Sequence, residues 1–213
     1  MNQFHQQVWN HAARIHGHRS IVIGNVSISK YREITRRDWD VFSSLMPDKT
    51  LVMEYGAGNG RIIRLAIRDC LNIIAYEPNK SLRTELALES LYDDNIIVVD
   101  SDILKEQGLA LSSIFSCNVV PHLCEEDVVE LLEFAGNNLM PHGTLVIDYV
   151  LQSCKEVSNV DPDMEHGILP IYKHDSNDLR SIAATYGLIL KRSCDYPGKS
   201  RVIDQFIMSD PNG

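Results

Sequence analysis

The chain has 213 residues, 44% of them hydrophobic and 23% charged, with a formal net charge of -9. That length suits one domain with a substantial core and is short for two. The acidic balance argues against a large nucleic-acid footprint, and no apolar run reaches the roughly 18 residues of a membrane span. The opening stretch MNQFHQQVWNHAARIHGHRS has no apolar core of the kind a secretory signal needs, so the expected location is cytoplasmic. The five cysteines (Cys70, Cys117, Cys124, Cys154, Cys194) are odd in number, scattered and without a CxxC pair. They fit a reducing compartment and not a disulfide framework. Cys117, His122 and Cys124 match no zinc-ligand spacing and lack a fourth ligand, so no metal is expected.

Charge is unevenly spread. Residues 1–37 hold Arg14, Arg19, Lys30, Arg32, Arg36 and Arg37 against the single acid Glu33, so the rest of the chain carries -14. This stretch reads either as a solvated basic helix face or as a surface turned toward a small anion. Residues 1–45 are expected to be helical and to lie as a lid over the strand ends.

From there the elements alternate. TLVMEY (50–55) is an apolar run bounded by Asp48-Lys49 and by glycines, and predicts a buried strand. RIIRLAIRDC (61–70) has apolar residues at helical spacing. NIIAYE (72–77) predicts a second strand, Lys80 to Leu91 a second helix, and NIIVVD (95–100) a third strand. LSSIFSCNVV (111–120) predicts a fourth. Glu125 to Leu139 predicts a helix with acids at its positive N-terminal end. TLVIDYV (144–150) predicts a fifth strand after the Pro141-His142-Gly143 turn. The polar stretch 151–173, with two prolines, reads as an inserted cap. Asp175 to Asp178 offer N-cap residues for a helix to about Tyr186, with Gly187 as its C-cap. LILKRSCDY and VIDQFIM predict a strand pair around Pro197-Gly198-Lys199-Ser200-Arg201.

Strict strand–helix alternation with apolar strands means βαβ units covered on both faces. The expected fold class is α/β. It is a doubly wound, mostly parallel seven-stranded sheet with helices on both faces, an antiparallel edge strand and an N-terminal helical lid. A ligand is expected beyond the carboxyl ends of the strands, where the first strand ends in EYGAGNG.

The glycines of Gly56-Ala57-Gly58-Asn59-Gly60 allow a turn at positive φ and a close approach of ligand to backbone. Placed between strand and helix, the turn aims N–H groups at that ligand. A dinucleotide needs GxGxxG, but the third glycine's place is held by Arg61. Glu54, two residues before Gly56, would repel a pyrophosphate and suits a cofactor that carries positive charge.

Glu54-Tyr55-Gly56-Ala57-Gly58-Asn59-Gly60 resembles the first motif of the class I S-adenosylmethionine-dependent methyltransferases, (D/E)xGxGxG. NVVPHL (118–123) is similar to that family's fourth-strand exit, and LMPHGTLVI (139–147) to its LxPGGxLxI segment. The resemblance covers residues 48–150 well and 175–208 more loosely. It departs from the family at Ser112-Ser113, where an acid is common, and at His142, which replaces the first glycine of the GG pair. It implies one methyltransferase domain over residues 1–213: a lid (1–45), a cofactor-binding core (48–150), the cap (151–173), and a C-terminal helix with a strand pair (174–213). It implies S-adenosyl-L-methionine held by Glu54, Gly56, Ala57, Gly58 and Gly60, by Glu77 at the ribose, by Asp102 and Ile103 at the adenine, and by Pro78 and Asn118.

Methyl transfer from a sulfonium is an in-line displacement in which the protein mainly positions the acceptor. The expected acceptor is a small molecule, an anionic one included, methylated at oxygen or nitrogen. Asn118 is followed by Val-Val-Pro-His and not by the PP(Y/F) of nucleic-acid amino-methylating enzymes, so no nucleic-acid partner is expected. A monomer or homodimer is expected. His122 reads as a general base or as a structural histidine before the next helix. Tyr31, Arg32 and Arg36 read as acceptor-binding, as holding the cofactor's carboxylate, or as surface charge. Asp148 and Tyr149 face either the site or the core, and Lys199 and Arg201 read as solvated. Against catalysis stands a second reading, a non-catalytic cofactor-binding partner or regulatory subunit. A protein-directed enzyme is a further alternative, and a nicotinamide-dependent oxidoreductase is disfavoured by Arg61.

Overall fold

A computed structural model describes residues 7–12, 26–91, 93–155, 157–161, 163, 168–197 and 200–210. The expectations for Arg14, Arg19 and Lys199 lie outside the described residues. Helices are α1 (Ile28–Ser44), α2 (Ile63–Ala66), α3 (Lys80–Ser90), α4 (Glu125–Asn138) and α5 (Ser176–Thr185). A short helical segment, residues 7–12, precedes them. Strands are β1 (Leu51–Tyr55), β2 (Asn72–Tyr76), β3 (Ile96–Val99), β4 (Leu111–Ser116), β5 (Leu139–Leu151), β6 (Lys173–His174), β7 (Leu188–Asp195) and β8 (Val202–Met208).

The main sheet runs β3-β2-β1-β4-β5-β8-β7, with the two-residue β6 pairing off this path with β5. β1 to β5 pair in parallel, as crossover connections through helices require. β8 runs antiparallel to both β5 and β7, so the antiparallel edge is a hairpin whose last strand lies inside the sheet. The order reverses between β1 and β4, the switch point where a ligand crevice is expected.

Two apolar layers clamp the sheet. One joins Trp39 and Phe42 of α1, Ile63 of α2 and Leu86 of α3 to Val52, Ile73 and Phe115. The other joins Leu131 and Leu132 of α4 and Leu179 and Ala183 of α5 to Met53, Ile114 and Leu145. Helix ends follow from sequence: Ser27 accepts from Lys30 N at 3.2 Å at the start of α1, and Asp175 from Asn177 N at 2.8 Å at the start of α5. Glu125, Glu126 and Asp127 fill the first turn of α4, where the helix dipole favours them.

Three expectations need correction. The helix expected over 61–70 is regular only over Ile63–Ala66. Its flanks make tighter turns, Leu65 N to Ile62 O (2.8 Å) and Arg68 N to Leu65 O (3.1 Å), as the chain leaves the glycine turn. The fourth strand stops at Ser116 and not at Val120, because Asn118 takes φ +63° and Pro121 opens a short 3-10 turn over Val120–His122. β5 begins at Leu139, not 144, with an irregular register between Leu111 and Ser113 on its partner and His142 at φ +64°.

Within the expected cap, Val160 bridges Ile171 and Asp163 bridges Ile168. The segment docks on the 3-10 turn through Tyr172 N to Pro121 O at 2.8 Å. No described helix is long and apolar enough to cross a membrane.

At the crossing of α4 with the end of α5, a Cβ on Gly136 would lie 2.6 Å from the Tyr186 carbonyl oxygen. Gly136→Ala gains helix propensity of up to about 1 kcal/mol. It meets immovable backbone, so overpacking wins and the variant is expected to lose about 1–3 kcal/mol in urea unfolding.

Candidate functional site

The carboxyl ends of β1, β2 and β4 enclose a cavity of about 50 Å³. It is lined by Glu54 of β1, by Gly56, Ala57, Gly58 and Arg61 after β1, by Glu77, Pro78, Asn79 and Leu82 after β2, and by Cys117, Asn118, Val119 and His122 after β4. Trp9, on the helical segment 7–12, closes the rim.

The turn is built as the glycines allow. Gly56, Gly58 and Gly60 sit at φ +80°, +59° and +79°. Gly56 N and Ala57 N both donate to the Tyr76 carbonyl, at 2.9 and 2.8 Å, which ties the turn to β2. A Cβ at Gly56 would fall 2.6 Å from Val119 Cγ2, so this turn and the β4 exit are packed against each other.

Two buried carboxylates face this cavity. Glu54 is 2% exposed, and its Oε2 has no hydrogen-bond partner among the described residues. Burial holds its carboxyl well above the usual range, against the pull of Arg61. Glu77 is 5% exposed, but Oε2 accepts from Gly58 N and Oε1 from Asn79 N, each at 2.7 Å. Burial pushes its pKa up to about 7, with those two backbone donors opposing. The carboxylate thus braces the glycine turn while keeping lone pairs on both oxygens. Asn79 also caps α3, accepting from Ser81 N at 2.9 Å and Leu82 N at 3.1 Å.

A charged lattice supports the β4 side. Asp38 of α1 is fully buried and accepts from Arg61 Nη1 at 2.8 Å, Arg37 Nη2 at 3.0 Å and Asn118 Nδ2 at 3.4 Å. Asp148 of β5 is fully buried and accepts from Asn118 N at 2.6 Å and Arg201 Nη1 at 2.9 Å. Arg201 Nη1 also reaches Asn118 Oδ1 at 2.9 Å. Asn118 therefore joins both carboxylates from its left-handed backbone position. Burial pushes the Cys117 thiol up to about 12 despite Arg61, so it stays protonated at neutral pH.

His122 Nδ1 lies 2.6 Å from the Pro170 carbonyl, which can only accept, so the proton sits on Nδ1. Trp9 packs edge-on against the same ring, centroids 5.5 Å apart.

Of the residues singled out in the sequence, Glu54, Gly56, Ala57, Gly58, Glu77, Pro78, Asn118 and His122 come together around the cavity. Gly60 shapes the turn without lining it. Asp102 does not join them. Asp100 caps the 3-10 turn Ser101–Lys105 by accepting from Asp102 N, and the Asp102 carboxylate projects to solvent, 2.6 Å from Lys105 Nζ. Ile103 packs on the core cluster of Met53 and Ile114 and not on the cavity. Tyr149 is buried in that core, its hydroxyl donating to Asp204 at 2.8 Å, because it points to the sheet face opposite Asp148. Arg201 is ion-paired to buried Asp148 and not simply solvated. Tyr31, Arg32 and Arg36 line a separate groove. Trp9, Asp38, Arg61, Asn79, Leu82 and Val119 escaped sequence reasoning. Arg61 carries the one readable signal, a cation directly after the glycine turn.

Asp38→Ala would leave Arg61, its side chain 2% exposed, without its carboxylate. The variant is expected to lose about 3–5 kcal/mol in denaturant unfolding, the cost of an uncompensated buried charge.

No protein-family model matches the chain, and no curated protein matches it. Solved structures do. The Burkholderia thailandensis 1,6-didemethyltoxoflavin-N1-methyltransferase, with 1,6-didemethyltoxoflavin and S-adenosylhomocysteine bound, superposes with TM-score 0.65 at 14% identity, covering 83% of this chain and 78% of its own. Magnesium protoporphyrin IX methyltransferase from Synechocystis PCC 6803, with S-adenosylhomocysteine bound, gives 0.65 at 14% identity over 97% and 96%. The CcbJ methyltransferase from Streptomyces caelestis gives 0.66 at 15% over 82% and 95%. At these identities the likeness is one of architecture: this chain has the Rossmann-like fold of S-adenosylmethionine-dependent methyltransferases.

Proposed function

We propose that the chain is a methyltransferase that uses S-adenosyl-L-methionine and modifies a small-molecule acceptor. The observation that carries this reading is Glu54 Oε2, a buried carboxylate oxygen without a partner in a cavity walled by a positive-φ glycine turn. A buried carboxylate left so costs several kcal/mol unless a cation meets it. An α-ammonium group is such a cation. The chemistry of the remaining walls suits the rest of the cofactor. Glu77 keeps acceptor capacity for ribose hydroxyls, Pro78 and Leu82 offer apolar contact to a flat base, and Gly56 and Gly58 leave room beside the main chain.

When bound, the cofactor supplies an electrophilic methyl group on a sulfonium. The chain's own residues hold and orient. Glu54 takes the ammonium, and Glu77 fixes the ribose while bracing the turn. His122, oriented by the Pro170 carbonyl, takes the proton that leaves an acceptor O–H or N–H. Trp9 and the docked segment of residues 168–171 keep water from that end. The 7–12 segment and the cap thus act as lids over a cofactor-binding core. The acceptors named for two of the superposed structures, a didemethyltoxoflavin and a magnesium porphyrin, support a small-molecule substrate.

The pH dependence follows from the carboxyls. Both pKa values are raised, so each group is held protonated in the free protein above its ordinary range, and Glu77 ionises only near pH 7. Meeting an ammonium requires the carboxylate, so binding releases a proton and tightens as pH rises. Calorimetric titration with S-adenosylhomocysteine is expected to show a lower Kd at pH 8 than at pH 6, by up to about tenfold per pH unit. A pH-independent Kd would remove Glu54 from the ammonium site.

Two substitutions check the placement. Glu54→Gln is expected to weaken S-adenosylhomocysteine binding at least about tenfold. Gly58→Val, at φ +59° on the cavity wall, is expected to abolish it. Thermal shift with S-adenosylhomocysteine and NAD reads both, and a shift with NAD alone would overturn the cofactor assignment.

A further inference from the structure

A second concavity lies outside the cofactor cavity, between α1 and the α2 region. Its volume is about 540 Å³, within the range of small-molecule sites. Arg32 and Arg36 stand four residues apart on α1, and Arg64 and Arg68 four apart on the opposing segment. One acid, Glu85 of α3, shares the groove. No acidic side chain reaches Arg32, Arg36 or Arg68 within 4.0 Å among the described residues.

This arrangement is unfavourable without a partner. Like charges at i,i+4 repel, and here two such pairs face each other. Arg64 already donates to Asn59 O at 3.0 Å, and a protein of net charge -9 has acids enough to pair Arg32, Arg36 and Arg68. On the same helix it does so, with Lys30 to Glu33 at 2.7 Å and Arg37 to Asp38 at 3.0 Å. One buried guanidinium on the groove's wall adds a second sign. Arg61 lines the groove, is 3% exposed, and has its Nε buried without an acceptor among the described residues. Two of its guanidinium nitrogens are engaged by Asp38 and Cys117, so the third is a desolvated donor turned to neither. A buried unsatisfied guanidinium N–H calls for an oxygen acceptor.

We propose that this groove binds a small molecule carrying at least two anionic groups, phosphate or carboxylate, gripped between the two arginine rows. Arginine suits this role, because its planar fork meets both oxyanions bidentately. The assignment does not rest on methyl transfer. The same chemistry can come from the acceptor's own anionic arm or from a separate small anion. Because Arg61 lines both cavities, the cofactor site tells the two sources apart.

The test is calorimetric titration of the full chain with inorganic pyrophosphate at low ionic strength, with acetate as the monoanion control. Saturable pyrophosphate binding at least about tenfold tighter than acetate is expected. Arg68→Gln and the pair Arg32→Gln/Arg36→Gln should each weaken it about tenfold or more, with S-adenosylhomocysteine affinity retained within about twofold as the check on folding. Pyrophosphate affinity that rises when S-adenosylhomocysteine is bound assigns the acceptor's arm, and affinity indifferent to it assigns a separate ligand. Binding no tighter than acetate overturns the proposal, as does pyrophosphate binding unchanged in both variants. Equal loss of pyrophosphate and S-adenosylhomocysteine binding also overturns it, because the arginines would then serve the cofactor. Displacement of pyrophosphate by short single-stranded DNA at lower concentration overturns the small-molecule assignment.

Discussion

The ion pair between Asp38 and Arg61 is the constraint around which the site is assembled. Asp38 is fully buried and Arg61 nearly so, 2.8 Å apart, on segments that share no sheet hydrogen bond. Either charge alone would be prohibitive in that interior, so each fixes the other. Through it, α1 is registered against the glycine turn. Through Asn118, the same carboxylate is tied to the β4 exit, and through Asp148 and Arg201 to β5 and the start of β8. Five parts of the sequence are thus held together at one point.

Against that rigid lattice, Glu54 stands out by contrast. Asp38 and Asp148 are buried and fully matched, whereas Glu54, equally buried, leaves an oxygen unmatched. A fold that satisfies two buried carboxylates has the means to satisfy a third. The unmatched one is therefore the informative one, because its desolvation is a cost that the fold leaves in place.

Much of this was legible in the residues. Apolar runs ending in Glu54 and Glu77, and the glycines between them, announce parallel strands with a turn at their carboxyl ends, because backbone freedom and burial are local properties. What stayed illegible depends on long-range geometry. In a strand covered on both faces, residue type does not reveal which neighbour points where, so Asp148 and Tyr149 could not be told apart. Asp148 joins the polar lattice, while Tyr149 turns to Asp204 in the opposite layer. Asp102 failed for a different reason: Asp100, two residues earlier, captured its amide and set the turn. Arg201 read as solvated because its partner lies 53 residues away.

The position of β8 has a consequence for how the molecule comes into being. It is the last strand of the sheet in sequence but not in space, since it lies between β5 and β7. While the ribosome has delivered residues only through β7, one edge of β5 has no neighbour and β7 has none at all in the main sheet. Arg201, which pairs with Asp148, arrives just ahead of β8. The parallel half around the glycine turn can close early, but the charged lattice beneath Asn118 is completed only when β8 slides between two waiting strands. The edge strand is therefore made before the neighbour that joins it to the sheet, and an exposed β5 edge is the face that a nascent chain must keep from pairing elsewhere.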